Sequence, residues 1–184
     1  MKMHKPTQAE LLAAAGKVVQ DVIAADLRVL FCGINPGLYT AAVGHHFARP
    51  GNRFWPTLYA AGFTDRLLAP SEERQLLLRG LGITNIAARA SARADELSPQ
   101  ELEVGGQQLV AKINHYHPRY LAVLGISAYR TAFGRPRAVL GRQPEELGAT
   151  VVWVLPNPSG LNAHYQANDL TRLFGELRIA VEAA

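Results

Sequence analysis

Three short apolar runs constrain this chain more than any other feature. They are Val29-Leu30-Phe31-Cys32, Tyr120-Leu121-Ala122-Val123-Leu124 and Val151-Val152-Trp153-Val154-Leu155. Each is too short for a globular helix, is partly β-branched or aromatic, and is closed by Gly33, Gly125 or Pro156. A strand with one face in water alternates apolar and polar residues, because successive side chains point to opposite faces. These runs do not alternate, so both faces must be covered. Helix-length segments separate them, and strands alternating with helices build parallel sheets. The expected fold class is therefore α/β: a three-layer sandwich with a short, mostly parallel central sheet flanked by helices.

The segments between the runs carry helix signals. Thr7-Gln8-Ala9-Glu10 reads as a capping box before the Ala- and Leu-rich residues 11–25, which predicts a first helix there. Residues 54–61 predict another, and Ser71 predicts the cap of one running toward Arg79. Residues 82–86 predict a short strand. Ser98-Pro99-Gln100-Glu101 combines a Ser cap, Pro at the first helical position and Glu at the third, and predicts a helix toward Tyr116. A short helix is expected over 127–133, an irregular charged stretch over 135–147, and a terminal helix opened by Asn168 and Asp169. The 184 residues suit one domain, with 1–26 as an N-terminal helical extension and 27–184 as the core.

Composition excludes several classes. With 48% apolar and 18% charged residues the chain is globular rather than disordered. The lone Cys32 allows no disulfide within the chain and no cysteine zinc site, and its apolar setting reads as core. The longest apolar runs fall far short of a membrane span, and Met1–Pro6 lacks the apolar stretch of a signal peptide, so no membrane and a cytoplasmic location are expected. A net charge of +4 is compatible with a polyanionic partner without identifying one.

Two loops stand out. Gly33-Ile34-Asn35-Pro36-Gly37 follows the first apolar run, within a Gly- and Pro-rich stretch to residue 51. Asn157-Pro158-Ser159-Gly160-Leu161-Asn162 follows the third. Each alone is ordinary turn chemistry. Past the carboxyl ends of parallel strands, however, both fall on the sheet edge where ligands bind in such folds.

These loops, with Asn52-Arg53-Phe54-Trp55 between them, Ala61-Gly62-Phe63-Thr64-Asp65 and Trp153-Val154-Leu155-Pro156, resemble the mismatch-specific uracil-DNA glycosylase and thymine-DNA glycosylase family. The resemblance runs from about Leu27 to the terminal helix. It implies a monofunctional glycosylase, expected to be monomeric, that acts on double-stranded DNA containing mispaired or damaged bases. Such an enzyme flips uracil out, cuts its bond to the sugar and leaves an abasic site, with no cofactor and no metal.

The resemblance points to Asn35 for holding the water, since an amide orients a water but is no general base. It points to Phe47 for stacking the base, with Ile34 and Gly37 near the base edge and Thr40 and Ala41 limiting its 5-position. Leu161 is the implied wedge. Gly160 would allow close approach, and Asn157, Ser159 and Asn162 would contact the DNA backbone. Each has a structural alternative: Asn35 as a turn residue, Phe47 as a loop anchor, Leu161 as a core leucine. Arg49, Arg53 and Arg130 are further candidates for backbone contact.

Three departures matter. Ala163 stands where the family often has an Arg that reads the widowed guanine. Asn85 stands where a related protein has Lys. Asp95 stands where a neutral residue is expected, and is either a water-activating carboxylate or a solvated loop residue. His45-His46 and His115/His117 lack accompanying acids and read as structural. Gly105-Gly106 lies in a predicted helix and lacks the order of a dinucleotide site. Two rival functions share these residues: a non-catalytic mismatch-binding module and a nucleoside or nucleotide hydrolase.

Overall fold

The structure, a computed structural model, describes residues 5–184; the first four residues of the polar Met1–Pro6 start lie outside the described residues. Five strands form one sheet: β1 (Val29–Gly33), β2 (Leu81–Asn85), β3 (Tyr120–Leu124), β4 (Gly141–Leu147) and β5 (Thr150–Leu155). Their order is β2-β1-β3-β5-β4. All neighbours pair in parallel except β4, which runs antiparallel to β5 at one edge. Among the described residues six α-helices accompany them: α1 (Gln8–Ala13), α2 (Leu38–Val43), α3 (Phe54–Ala60), α4 (Pro99–Tyr116), α5 (Ile126–Ala132) and α6 (Ala167–Glu182).

The runs of β1 and β3 are buried on both faces, that of β5 is partly open at Val151 and Trp153, and the residues of all three divide by parity. Val29 and Phe31 of β1, Tyr120, Ala122 and Leu124 of β3, and Leu155 of β5 pack with Phe54, Trp55 and Leu58 of α3 and Leu170, Phe174, Leu177 and Val181 of α6. The alternate residues Leu30, Cys32, Leu121, Val123, Val152 and Val154 pack with Leu109 and Ile113 of α4 and Ala128 and Tyr129 of α5. Two cores thus sandwich one sheet. Each fully buried large apolar side chain contributes roughly 1.5–3 kcal/mol, so neither helix layer is dispensable.

Four local expectations give way. The first helix stops at Ala13, shortly before Gly16 at φ 75°. The β-branched residues beyond it then pair with the sheet side. Val22 exchanges backbone hydrogen bonds with Ile83 of β2, and Val18 bridges Arg89. Val22 is in the core, so this segment covers the outer edge of β2. The segment expected to begin at Ser71 is a 3-10 helix over Pro70–Arg79, and its N-cap is Ala69, whose N–H donates to Glu72. Pro at the first position favours that earlier start. The glycine-rich stretch after β1 contains the single helical turn and a half of α2. Finally, residues 141–147 form β4. Its charges and Pro144 are typical of an edge strand, and its register breaks between Arg142 and Glu146.

Candidate active site at the carboxyl edge of the sheet

Because β1, β2, β3 and β5 are parallel, Gly33, Asn85, Leu124 and Leu155 end on the same edge. A cleft of about 460 Å³ opens there. The strand order places β2 and β3 on opposite sides of β1, a topological switch point of the kind that opens crevices in α/β sheets. Ile34, Asn35, Gly37, Thr40, Phe47, Asp95, Asn157, Ser159, Leu161 and Asn162 all line the cleft. Ala41 and Gly160 do not. Consecutive residues of α2 face different ways, and Thr40 takes the cleft side, where its hydroxyl accepts from the Ala48 N–H. Gly160 is turned against the chain instead. A Cβ there would lie 2.6 Å from the Gly51 carbonyl oxygen, so only glycine permits this close approach.

Asn35 has a fixed orientation. Its Nδ2 donates to the Arg89 carbonyl at 3.0 Å and to Ser91 Oγ at 2.7 Å. A carbonyl can only accept, and the Ser91 hydroxyl already donates to the Arg93 carbonyl at 2.7 Å. Both acceptors therefore demand the NH₂ side of the amide, which settles which atom is nitrogen. The carbonyl Oδ1 is left with no partner among the described residues. The backbone of Ser91 is itself tied in, donating to the Pro36 carbonyl. Arg89 in turn pairs with Glu101 of α4 through its guanidinium. The Arg89 side chain and the Ser98 N–H hold the Glu101 carboxyl down at about 2, below its usual 4.5. A depressed carboxyl contributes above 4.5 and is lost only as pH falls toward that lower value, so this brace is present throughout the neutral range.

Phe47 adopts φ 54°, in the left-handed region. Such a conformation in a non-glycine residue costs of order 1–3 kcal/mol and persists only where its surroundings impose it. Here they do. The preceding His46 N–H donates to Glu73 Oε2 at 2.8 Å, and its Nε2 lies 2.9 Å from the Gln20 carbonyl. Its own carbonyl accepts from Trp55 Nε1 at 3.1 Å, and His45 Nδ1 meets Glu73 Oε1 at 2.9 Å. Phe47 then stacks on buried Phe54, with centroids 4.1 Å apart and planes at 26°. One ring face is thereby covered, while the residue still lines the cleft. A Cβ on Gly33 would lie 2.5 Å from Asn85 Oδ1 and 3.3 Å from the Phe47 ring.

The second loop holds its shape through its own polar groups. Asn157 Oδ1 accepts from the Ser159 N–H, Ser159 Oγ from the Leu161 N–H, and Asn162 Nδ2 donates to the Asn157 carbonyl. Leu161 projects from it with 69% of its surface exposed, so it is not a core leucine. Asp95 lines the cleft from a short 3-10 turn, mostly exposed and ion-paired with Arg93. Ala163 is exposed and His164 follows it.

Other candidates have structural duties. Arg53 donates to three carbonyls of the second loop and Arg130 to the Ala138 carbonyl. Arg49 remains exposed on the cleft wall. Burial pushes the Cys32 thiol far up, which leaves no thiolate for chemistry. His117 caps α4 in the left-handed conformation. Ser91 and Glu73 were not marked by any local pattern. Ser91 reaches Asn35 only because Gly37 and Ser91 are bridged across the two loops.

Residues 20–178 match the family model described as the uracil DNA glycosylase superfamily. A solution NMR structure of a candidate uracil DNA glycosylase from Methanosarcina acetivorans shares the fold. Its TM-score is 0.58 at 19% identity, covering 91% of this chain and 98% of that one.

Proposed function

The chain belongs to the uracil DNA glycosylase superfamily, whose members are DNA glycosylases, and from that premise we propose that it is of the mismatch-specific kind, removing uracil from double-stranded DNA, preferably where it is mispaired with guanine. The observation that carries this reading is the Asn35 amide. Both its N–H groups are committed, and its Oδ1 is an unused acceptor in a cleft that also holds Phe47 and an exposed Leu161.

In this reading Leu161 enters the duplex where uracil leaves, a recurring use of apolar side chains. Extrusion costs a few kcal/mol, and least for a mismatch. Uracil stacks on Phe47, worth roughly 1–3 kcal/mol per base. Ile34 and Gly37 border the base edge, and Thr40 the 5-position. A water held by Asn35 Oδ1 adds its oxygen to the sugar C1′. The C1′–N1 bond breaks, uracil departs with the electron pair, and the water's proton passes to solvent or to the leaving base. No cofactor is required, the enzyme acts as a monomer, and the product is an abasic site in an uncut strand. Ala163 offers no side-chain donor to the widowed guanine. The preference for guanine opposite uracil therefore comes from the weakness of the mispair and is modest.

Ser91 serves as an orienting residue. Ser91→Ala removes the acceptor that fixes one Asn35 N–H. Release under single-turnover conditions should fall about 10-fold, in line with roughly 1.4 kcal/mol for one lost orienting hydrogen bond. Asp95, exposed and tied to Arg93, has the lesser part. Loss of a true general base costs roughly 10²–10⁴-fold, whereas Asp95→Asn should change the rate by no more than about threefold. A larger loss, measured as a pH–rate profile that flattens on the acid side, would return Asp95 to the chemistry.

The test of the whole reading is a cleavage gel with uracil opposite guanine, opposite adenine and in single-stranded DNA, with abasic sites as readout. Release from the mispaired duplex first is expected. Binding without release from any of the three would leave a mismatch-binding module. Release only from free nucleosides would leave a small-molecule hydrolase, which has no use for an exposed Leu161.

A further inference from the structure

Resting on that reading, we propose that Arg53 is a positioning residue that holds the 157–166 loop, and Leu161 with it, in the shape that meets DNA. Its charge is spent inside the protein rather than on phosphate. Arg53 Nη1 donates to the Tyr165 carbonyl at 2.5 Å, and Nη2 donates to the Ser159 carbonyl at 2.8 Å and the Asn162 carbonyl at 2.9 Å. Its backbone N–H adds the Pro158 carbonyl at 3.0 Å. Four carbonyls of one loop therefore converge on one residue, and they flank Leu161 on both sides.

The anchor behind this fork is rigid. Arg53 is the N-cap of α3, and the next residues Phe54 and Trp55 are buried in the core. A planar guanidinium presents several donors in fixed directions, which suits several carbonyls at once; a lysine ammonium is a point charge on a flexible stem. Leu161 needs such a frame because its own side chain has little to pack on. Fixing one residue's backbone costs roughly 1–2 kcal/mol, so a loop ordered only on contact with DNA would lose much of the gain from insertion. Arg53 settles that cost during folding.

The test has two arms on the full chain. Amide hydrogen exchange without DNA reads the loop directly. In Arg53→Ala, exchange across residues 159–165 should rise by about 10-fold or more while strand amides of β1 and β3 stay protected, as expected for local opening. Arg53→Lys should fall between the two. Unchanged loop exchange in both variants would overturn the proposal. Should Arg53→Ala also lose strand protection, Arg53→Lys carries this arm alone.

The second arm is a double-mutant cycle on uracil release from a mispaired duplex. If Arg53 acts through Leu161, Arg53→Ala should slow release by about 10-fold, and the Arg53→Ala/Leu161→Ala pair should be no more than about twofold slower than Leu161→Ala alone. Fully multiplicative losses would show that Arg53 acts elsewhere and would overturn it. If the native chain releases no uracil, the functional reading fails, and the exchange arm still decides whether Arg53 orders the loop.

Discussion

Asn35→Ala is expected to slow single-turnover release of uracil from a uracil–guanine duplex by roughly 10³-fold, with duplex affinity changed by less than about threefold. The magnitude follows from the role proposed for the residue. In that role, Oδ1 does not take the proton of the attacking water; it would fix where the water stands. Positioning and fixed dipoles each account for several kcal/mol of barrier in enzymes of this general type, and removing one such group costs roughly 10²–10³-fold or more. On the proposed reading binding is spared, because Asn35 would meet only the reacting centre, while Phe47 would supply the stack and Leu161 the insertion.

Asn35→Asp is the informative companion. It keeps an acceptor of the same shape, yet it should restore little. A carboxylate has no N–H, so it would set an oxygen against the Arg89 carbonyl and against Ser91 Oγ, whose proton is already given to Arg93. The side chain must turn away from both, and the water site turns with it. Rates measured with saturating enzyme, together with affinities for an uncleavable duplex, separate the two effects.

Leu161→Ala carries the second large effect, and it should depend on the substrate. On a mispaired duplex, release should fall by roughly 30-fold, about 2 kcal/mol, because the gap left by the departing base is no longer filled. On single-stranded DNA there is no gap to fill, and the loss should stay within about threefold. The exposed state of Leu161 in the free protein supports this reading. A core leucine would instead lower thermal stability by about 2–5 kcal/mol and slow both substrates alike. Comparing the two substrates at matched enzyme excess, alongside the melting temperature, checks it.

The sheet was readable from local sequence because its physics is local. An unbroken apolar run has one way to bury both faces, and the parity of Val29 and Phe31 against Leu30 and Cys32 realises it. Ser98 and Glu101 likewise announce α4 and cap it as expected. The edges were harder. Residues 141–147 are rich in charge because an edge strand resists further pairing, and that same charge disguises it as a loop. Residues 17–22 follow an Ala- and Leu-rich helical start, yet three of the six are valines that suit a strand, and beyond Gly16 Val22 pairs with Ile83 instead.

The site divides in the same way. Asn35, Phe47 and Leu161 sit in loops whose composition is unusual in itself. Ser91, Glu73 and the true partners of Arg53 depend on contacts between residues 27 to 112 positions apart, for which no local pattern exists. Arg53 shows the difference most clearly. A basic residue in a DNA-binding chain suggests phosphate, while the fold gives its donors three backbone carbonyls instead.

The most direct test of the shared cleft separates extrusion from cleavage. A duplex with 2′-fluoro-deoxyuridine opposite guanine resists cleavage, because the fluorine disfavours the cationic sugar, and a 2-aminopurine beside it brightens when its neighbour unstacks. The native chain and Asn35→Ala should both raise that fluorescence on binding, and Leu161→Ala should raise it little. If the native chain binds this duplex and the fluorescence does not move, no nucleotide enters the cleft between Asn35, Phe47 and Leu161, and the account is contradicted.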